Sequence, residues 1–212
     1  MDIFTFILEI IGTIAFASSG AIAAIEKKMD IFGVNVLGAT TAVGGGIMRD
    51  VILGLTPPTA FSKPIYIIIS ILTCTLIFAV AYIRPSALHS RIRNEYYDRL
   101  MFWCDTLGLG IFTVVGIQAA QRAVEENNAF FFVFIGVLTG VGGGVLRDIM
   151  LGEIPYILVK HIYACAAIVG GAVCVICRGV LGEAAGLVLG LAATVILRAL
   201  AAHFRWNLLR IE

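Results

Sequence analysis

Residues Gly44-Gly45-Gly46-Ile47-Met48-Arg49-Asp50 recur as Gly142-Gly143-Gly144-Val145-Leu146-Arg147-Asp148, 98 positions later and with no insertion or deletion between the copies. Each copy lies deep inside a strongly apolar segment. A segment surrounded by lipid has no water to satisfy freed backbone groups or to hydrate a charge. Glycine triplets and adjacent charges are therefore costly there, and finding both twice points to a membrane-embedded site built by two copies of one unit.

Composition supports the membrane reading. Of 212 residues, 60% are hydrophobic and 14% charged, whereas a soluble domain is nearer half apolar and a quarter charged. The excess falls in runs of the length that crosses a ~30 Å hydrocarbon core. Seven spans are expected, over roughly 3–25, 31–53, 64–84, 101–121, 129–151, 157–177 and 180–201. The breaks between them are short, the last a tight joint near Arg178-Gly179, and none leaves room for a soluble domain. Ala15-Phe16-Ala17 has the form of a signal-peptidase site, but Asp2 and Glu9 stand where a basic leader would be, so the first span reads as a retained helix.

The offset of 98 also pairs Gly12 with Gly110, Gly38 with Gly136, Thr41 with Thr139, Leu53-Gly54 with Leu151-Gly152, and Pro57 with Pro155. The repeating unit is thus three spans. A unit with an odd number of spans ends on the opposite side from its start, so the second copy is inverted relative to the first, about a pseudo-twofold axis in the membrane plane. The expected fold is an all-α integral membrane protein with a 3+3 inverted repeat, a seventh helix, and kinked second and fifth helices. Residues 1–98 form the first unit with a cytoplasmic connector, 99–178 the second, and 179–212 the seventh helix and C-terminus.

Basic residues set the orientation. Lys27, Lys28, Arg84, Arg91, Arg93, Arg99, Lys160, Arg205 and Arg210 fall on one side, against Lys63, Arg122 and Arg178 on the other. The richer side is expected in the cytoplasm, with the N-terminus outside and the C-terminus inside.

Three consecutive glycines point in different directions around a helix, which suits close packing poorly. They read better as a kink or unwound turn whose carbonyls face protein or a wet path, the ligands that a dehydrating monovalent cation needs. Arg49, Asp50, Arg147 and Asp148 should face a partner or water. Neighbouring residues on a helix do not face one another, so each arginine is expected to find its partner elsewhere. Direct pairing of Arg49 with Asp148 is disfavoured by their separation in depth. One Arg-Asp layer on each side of the glycine level fits better, and a structural pair bracing the helix ends is the alternative. Thr41 and Thr139, about one turn before the triplets, can bond freed carbonyls, back-bond within their own helix, or offer oxygen to a cation. Asp105 reads as interfacial, as does His161 beside Lys160; Glu9 and Glu183 are acids that the repeat does not explain. Gly182, Gly186 and Gly190 form a smooth face suited to helix contact within or between protomers.

The five cysteines lie in apolar runs and behave as small hydrophobes; Cys174-Val-Ile-Cys177 lacks the context of a redox motif. No basic tract suggests nucleic acid. There is no paired nucleophile and base, no His/Cys metal cluster, and no sign of a cofactor, so an enzyme is not expected.

Taken together, the seven spans, the inverted repeat and the doubled Gly-Gly-Gly-x-x-Arg-Asp motif, each copy followed by Leu-Gly and then Pro, resemble the prokaryotic members of the trimeric intracellular cation (TRIC) channel family. The resemblance covers essentially the whole chain. It implies a homotrimer in the plasma membrane, each protomer with its own hourglass pore along the kinked second and fifth helices, passing K+ chiefly and Na+ as well. The ion path would then draw on Thr41, Gly44, Gly45, Gly46, Arg49 and Asp50 with Thr139, Gly142, Gly143, Gly144, Arg147 and Asp148. K+ would visit the glycine carbonyls transiently, the aspartates would favour cations, and the arginines would brace or gate the bent segments. Animal members carry Lys-Glu-Val near the fifth-helix kink; Val145-Leu146-Arg147-Asp148 here departs from that. The rival reading is a secondary transporter of a small zwitterion such as glycine, since broken helices in inverted repeats are common in transporters.

Overall fold

The computed structural model describes residues 3–83, 91–125, 128–159 and 162–206. Among these, the helices are α1 (Ile3–Glu26), α2 (Ile31–Ile52), α3 (Thr59–Ser62), α4 (Ile65–Ile83), α5 (Arg91–Ala123), α6 (Ala129–Met150), α7 (Tyr156–Val159), α8 (Ala164–Leu181) and α9 (Glu183–His203). Seven are long and apolar enough to cross a membrane, with Asp98–Ala123 as the apolar part of α5. Arg84, Lys160, His161 and Arg210 lie outside the described residues, as do the side chains of Arg91 and Arg93.

Two of the seven spans shift from the sequence reading. The sixth begins at Ala164 instead of 157, because Tyr156–Val159 form the separate short helix α7 and Tyr163 is the N-cap of α8. The seventh begins at Glu183, and the joint is Gly182 at φ 93°, not Arg178-Gly179, which is helical. The repeat itself carries this information: α4 begins three residues after α3 ends, and adding 98 to Ile65 gives Tyr163, the N-cap of α8. The expected unit boundaries at 98/99 and 178/179 fall inside α5 and α8.

Local chemistry is duplicated along with the helices. Asp30 caps α2 by accepting from the Gly33 N–H at 2.8 Å, and Asn128, 98 residues on, caps α6 by accepting from Phe131 at 3.0 Å. At the far ends, Gly54 and Gly152 both adopt φ 70°. This left-handed conformation favours glycine and turns the chain sharply back beneath the helix.

The inversion is visible where α2 crosses α6. A Cβ on Gly45 would overlap the carbonyl oxygen of Thr139, and one on Gly143 would overlap the carbonyl oxygen of Thr41. Because 41 pairs with 139 and 45 with 143, the contact is reciprocal, as a twofold axis through the crossing requires. α1 and α5 lie across this crossing and meet through Gly12 against Ile111 and Phe112, and Gly108 against Phe16. Lys27 pairs with Glu153 at 2.6 Å on one face of the bundle, while Arg122 pairs with Glu183 at 3.3 Å on the other. The first pair joins two loops expected on one side, and the second joins two expected on the other. α9 packs on α8 within the protomer, with Gly186 against Arg178 and Cys174, and Gly190 against Cys174 and Gly170. Gly182, expected on that face, forms the turn instead.

Candidate ion pathway

α2 and α6 remain helical through both glycine triplets, so no unwound turn frees a row of carbonyls. The objection that three glycines point three ways is answered by three different neighbours. Gly44 faces Leu146, Gly45 faces the α6 backbone at Thr139 and Gly143, and Gly46 looks toward the Arg49 guanidinium. In the second copy Gly142 faces Gly45 and Met48, Gly143 faces Thr41 and Phe16, and Gly144 faces Tyr163 and Asp105. Each triplet thus spends two glycines on the crossing and one on the arginine beyond it. Thr41 and Thr139, both buried, donate to Leu37 and Ile135 carbonyls at 2.7 Å, the bond back along their own helix.

The arginines find the partner that helix geometry seemed to deny them. Arg49 Nε donates to Asp50 Oδ1 at 2.8 Å, and Arg147 Nε to Asp148 Oδ1 at 2.8 Å. The side chain is long enough to fold around the last turn of the helix, where no further turn blocks it. The second oxygen of each carboxylate reaches forward. Asp50 Oδ2 accepts from the Thr59 N–H at 2.7 Å, and Asp148 Oδ2 from the Tyr156 N–H at 2.8 Å. Those amides open α3 and α7, whose first N–H groups lack helical acceptors. Each Arg-Asp pair therefore clamps the returning chain after its Leu-Gly turn, one clamp on each side of the crossing.

The two clamps sit in different surroundings. On the second side Arg147 is fully buried, and its Nη1 also donates to Ser19 at 2.5 Å and to Asp105 Oδ1 at 2.9 Å. Asp105, read from sequence as interfacial, is 3% exposed. Arg198 on α9 approaches the same carboxylate at 3.6 Å, donates to Thr106 Oγ1 at 3.1 Å, and lies over the Tyr163 ring at 4.3 Å. Two acids and two arginines thus form one buried, charge-balanced cluster.

On the first side the clamp borders open space. A cavity of ≈ 40 Å³ is lined by Glu9, Thr13, Gly46, Arg49, Asp50 and Tyr66, among others. A wider one of ≈ 270 Å³ shares Glu9, Arg49, Asp50 and Thr59 with it and extends to Lys63, Gln118 and Arg122 at the bundle surface. Between this cavity and the Arg147 cluster Phe16 of α1 stacks on Phe112 of α5, ring centroids 5.3 Å apart. Along α1 the order is Glu9 and Thr13 at the first cavity, then Phe16, then Ser19 at Arg147.

Sequence reasoning missed Ser19, Tyr66, Tyr163 and Arg198, and gave Asp105 the wrong place. Arg198 alone had a signal, as a charge deep in the last span. The others needed knowledge of which helices meet.

A family model described as "Glycine transporter" matches residues 6–82 and 102–179. A "UPF0126 membrane protein" of Vibrio cholerae serotype O1 is 36% identical over 170 residues, 78% of this chain and 65% of that protein, so the chain spans about two thirds of that relative's length. The "UPF0126 membrane protein YvgT" of Bacillus subtilis is 34% identical over 203 residues, covering 95% of this chain and 94% of the relative. Among solved structures, the TRIC trimeric intracellular cation channel orthologue from Rhodobacter sphaeroides superposes with a TM-score of 0.85 at 32% identity, over 97% of this chain and all of that one.

Proposed function

Because the chain belongs to the TRIC family, the family whose sequence model is described as Glycine transporter, we propose that it is a multi-pass membrane channel for monovalent cations. K+ is the main permeant ion and Na+ also passes. The pore lies within one protomer, around the α2–α6 crossing, and three protomers assemble as in the R. sphaeroides orthologue. The N-terminus is outside and the C-terminus cytoplasmic in a plasma membrane, which puts the open vestibule outside and the Arg147 cluster inside.

One observation carries the reading: a polar cavity at Glu9 and Asp50 and a buried charge cluster at Arg147 flank a tight twofold crossing, with the stacked Phe16 and Phe112 between them. Polar groups at this depth are stable only against partners or water, and a short apolar constriction between wet chambers conducts only when it widens and wets. On this reading the path is shut while the rings are stacked. Opening needs the rings to part and Arg147 to exchange partners, while the Asp50 and Asp148 clamps keep the returning segments in register. The glycines act in this scheme by letting α2 and α6 slide at close range.

The family description and the mixed charge of the vestibule, with Glu9 and Asp50 against Arg49, Lys63 and Arg122, favour a second reading, carriage of a small zwitterion. Purified protein in liposomes separates the two. The channel gives K+ flux that rises with the gradient and ignores glycine; a carrier gives saturable glycine uptake.

A further inference from the structure

Asp50 and Asp148 are the carboxylates that the repeated motif offers as cation attractors, yet each already holds an arginine with one oxygen and a backbone N–H with the other. Asp105 is held by Arg147 and Arg198. Glu9 differs. It is buried in a membrane-spanning helix, and no ion pair among the described residues includes it. Among the described residues its one hydrogen bond comes from the Tyr66 hydroxyl, which donates to Oε2. A carboxylate at that depth is costly unless something compensates its charge.

The surroundings fit a cation as that compensation. The ≈ 40 Å³ cavity beside Glu9 holds about three waters on the usual measure of space per water. Its charged lining is Glu9, Asp50 and Arg49: two carboxylates against one guanidinium, and that guanidinium is bound to Asp50. The buried cluster on the far side, by contrast, sets Asp105 and Asp148 against Arg147 and Arg198. The lining of the small cavity thus keeps a net negative charge, while the vestibule outside it adds Lys63 and Arg122, the latter paired with Glu183. Thr13 in its wall adds a hydroxyl oxygen, and the wider vestibule opens onto the same Glu9.

We propose that Glu9, with Thr13 and a few waters, forms a binding site for a partly hydrated monovalent cation at the outer side of the Phe16–Phe112 barrier, and that this carboxylate sets cation-over-anion preference. The inference rests on the channel reading for its second half only; the binding site stands without it. Tyr66 acts as a positioning residue, holding the carboxylate against the cavity wall.

Two measurements test it together. Crystals of the wild-type protein soaked in thallous salt, a potassium mimic visible by anomalous scattering, are expected to show density beside Glu9 that Glu9→Gln removes and that Tyr66→Phe, which frees the carboxylate to move, weakens without abolishing. In planar bilayers, Glu9→Gln is expected to lower the K+/Cl− permeability ratio by roughly tenfold, at the lower end of charge-focusing effects. Thallium beside Glu9 in a protein that passes no current upholds the site and removes the channel reading. A wild-type current whose selectivity Glu9→Gln leaves unchanged, with no thallium in the cavity, overturns the site and leaves the channel standing. Should Glu9→Gln fail to fold, the wild-type thallium map decides alone, and an empty cavity refutes the proposal.

Discussion

At the scale of single residues, the glycine triplets divide their labour, and substitution can read that division. Gly45 and Gly143 face backbone carbonyls of the opposite helix with no room for a methyl group, whereas Gly46 has only the flexible Arg49 tip at 3.8 Å. Gly45→Ala and Gly143→Ala are expected to destabilise by about 1–3 kcal/mol or more, since a backbone neighbour cannot step aside. Gly46→Ala should be neutral or stabilising by up to ~1 kcal/mol, the helix-propensity gain. Thermal unfolding in detergent checks all three; equal losses would return the triplets to a general backbone role. The residue types were legible in the sequence, but their duties were not. A triplet in one dimension looks like a break, and only the crossing partner shows that each glycine meets a different obstacle. The same limit hid the Arg-Asp bonds, because the rule that neighbours face apart holds for helix interiors and lapses at the last turn, where a long side chain can wrap.

At the scale of elements, each long kinked-by-expectation helix ends in the same device: an Arg-Asp pair, a left-handed glycine, and a returning amide caught by the free carboxylate oxygen. Asp148→Asn keeps the size but weakens the acceptor, so a hydrogen bond to a charged group, about 1.5–3 kcal/mol, is at risk, and Arg147 falls back on Asp105. Hydrogen exchange at residues 153–159 should quicken in Asp148→Asn, and at 55–62 in Asp50→Asn, while exchange in the centre of α5 stays slow. Unchanged exchange at both loops would mean the clamps are not what holds them. Helix number, the repeat unit and most span limits could be read in advance because hydrophobic length and an ungapped offset are one-dimensional facts. The start of the sixth span falls in α7 because Tyr156-Ile157-Leu158-Val159 is as apolar as the helix that follows, and hydropathy does not separate a short helix from a span.

For the whole molecule, the unpaired seventh helix breaks the symmetry of an otherwise doubled structure. It supplies Arg198 to the Arg147 cluster, and among the described residues the first half shows no counterpart, so that cluster is charge-balanced while the Glu9 side opens onto a cavity. Arg198→Gln should loosen the inner closure and raise open probability severalfold, an effect on the order of the ~1.4 kcal/mol that separates tenfold populations; closed-time distributions identical to wild type would assign Arg198 to packing alone. The proposed topology puts the basic loops on the cytoplasmic side, so labelling of single cysteines placed at 28 and 123 from either side of intact cells should mark only the second from outside. The central claim is that two inverted units meet at a narrow crossing that ions traverse once the stacked Phe16 and Phe112 rings part. Single-channel recording of the purified protein in a bilayer with asymmetric KCl tests it most directly: the account predicts discrete openings that reverse near the potassium equilibrium potential, and a membrane that stays silent while the same preparation takes up glycine to saturation would contradict it.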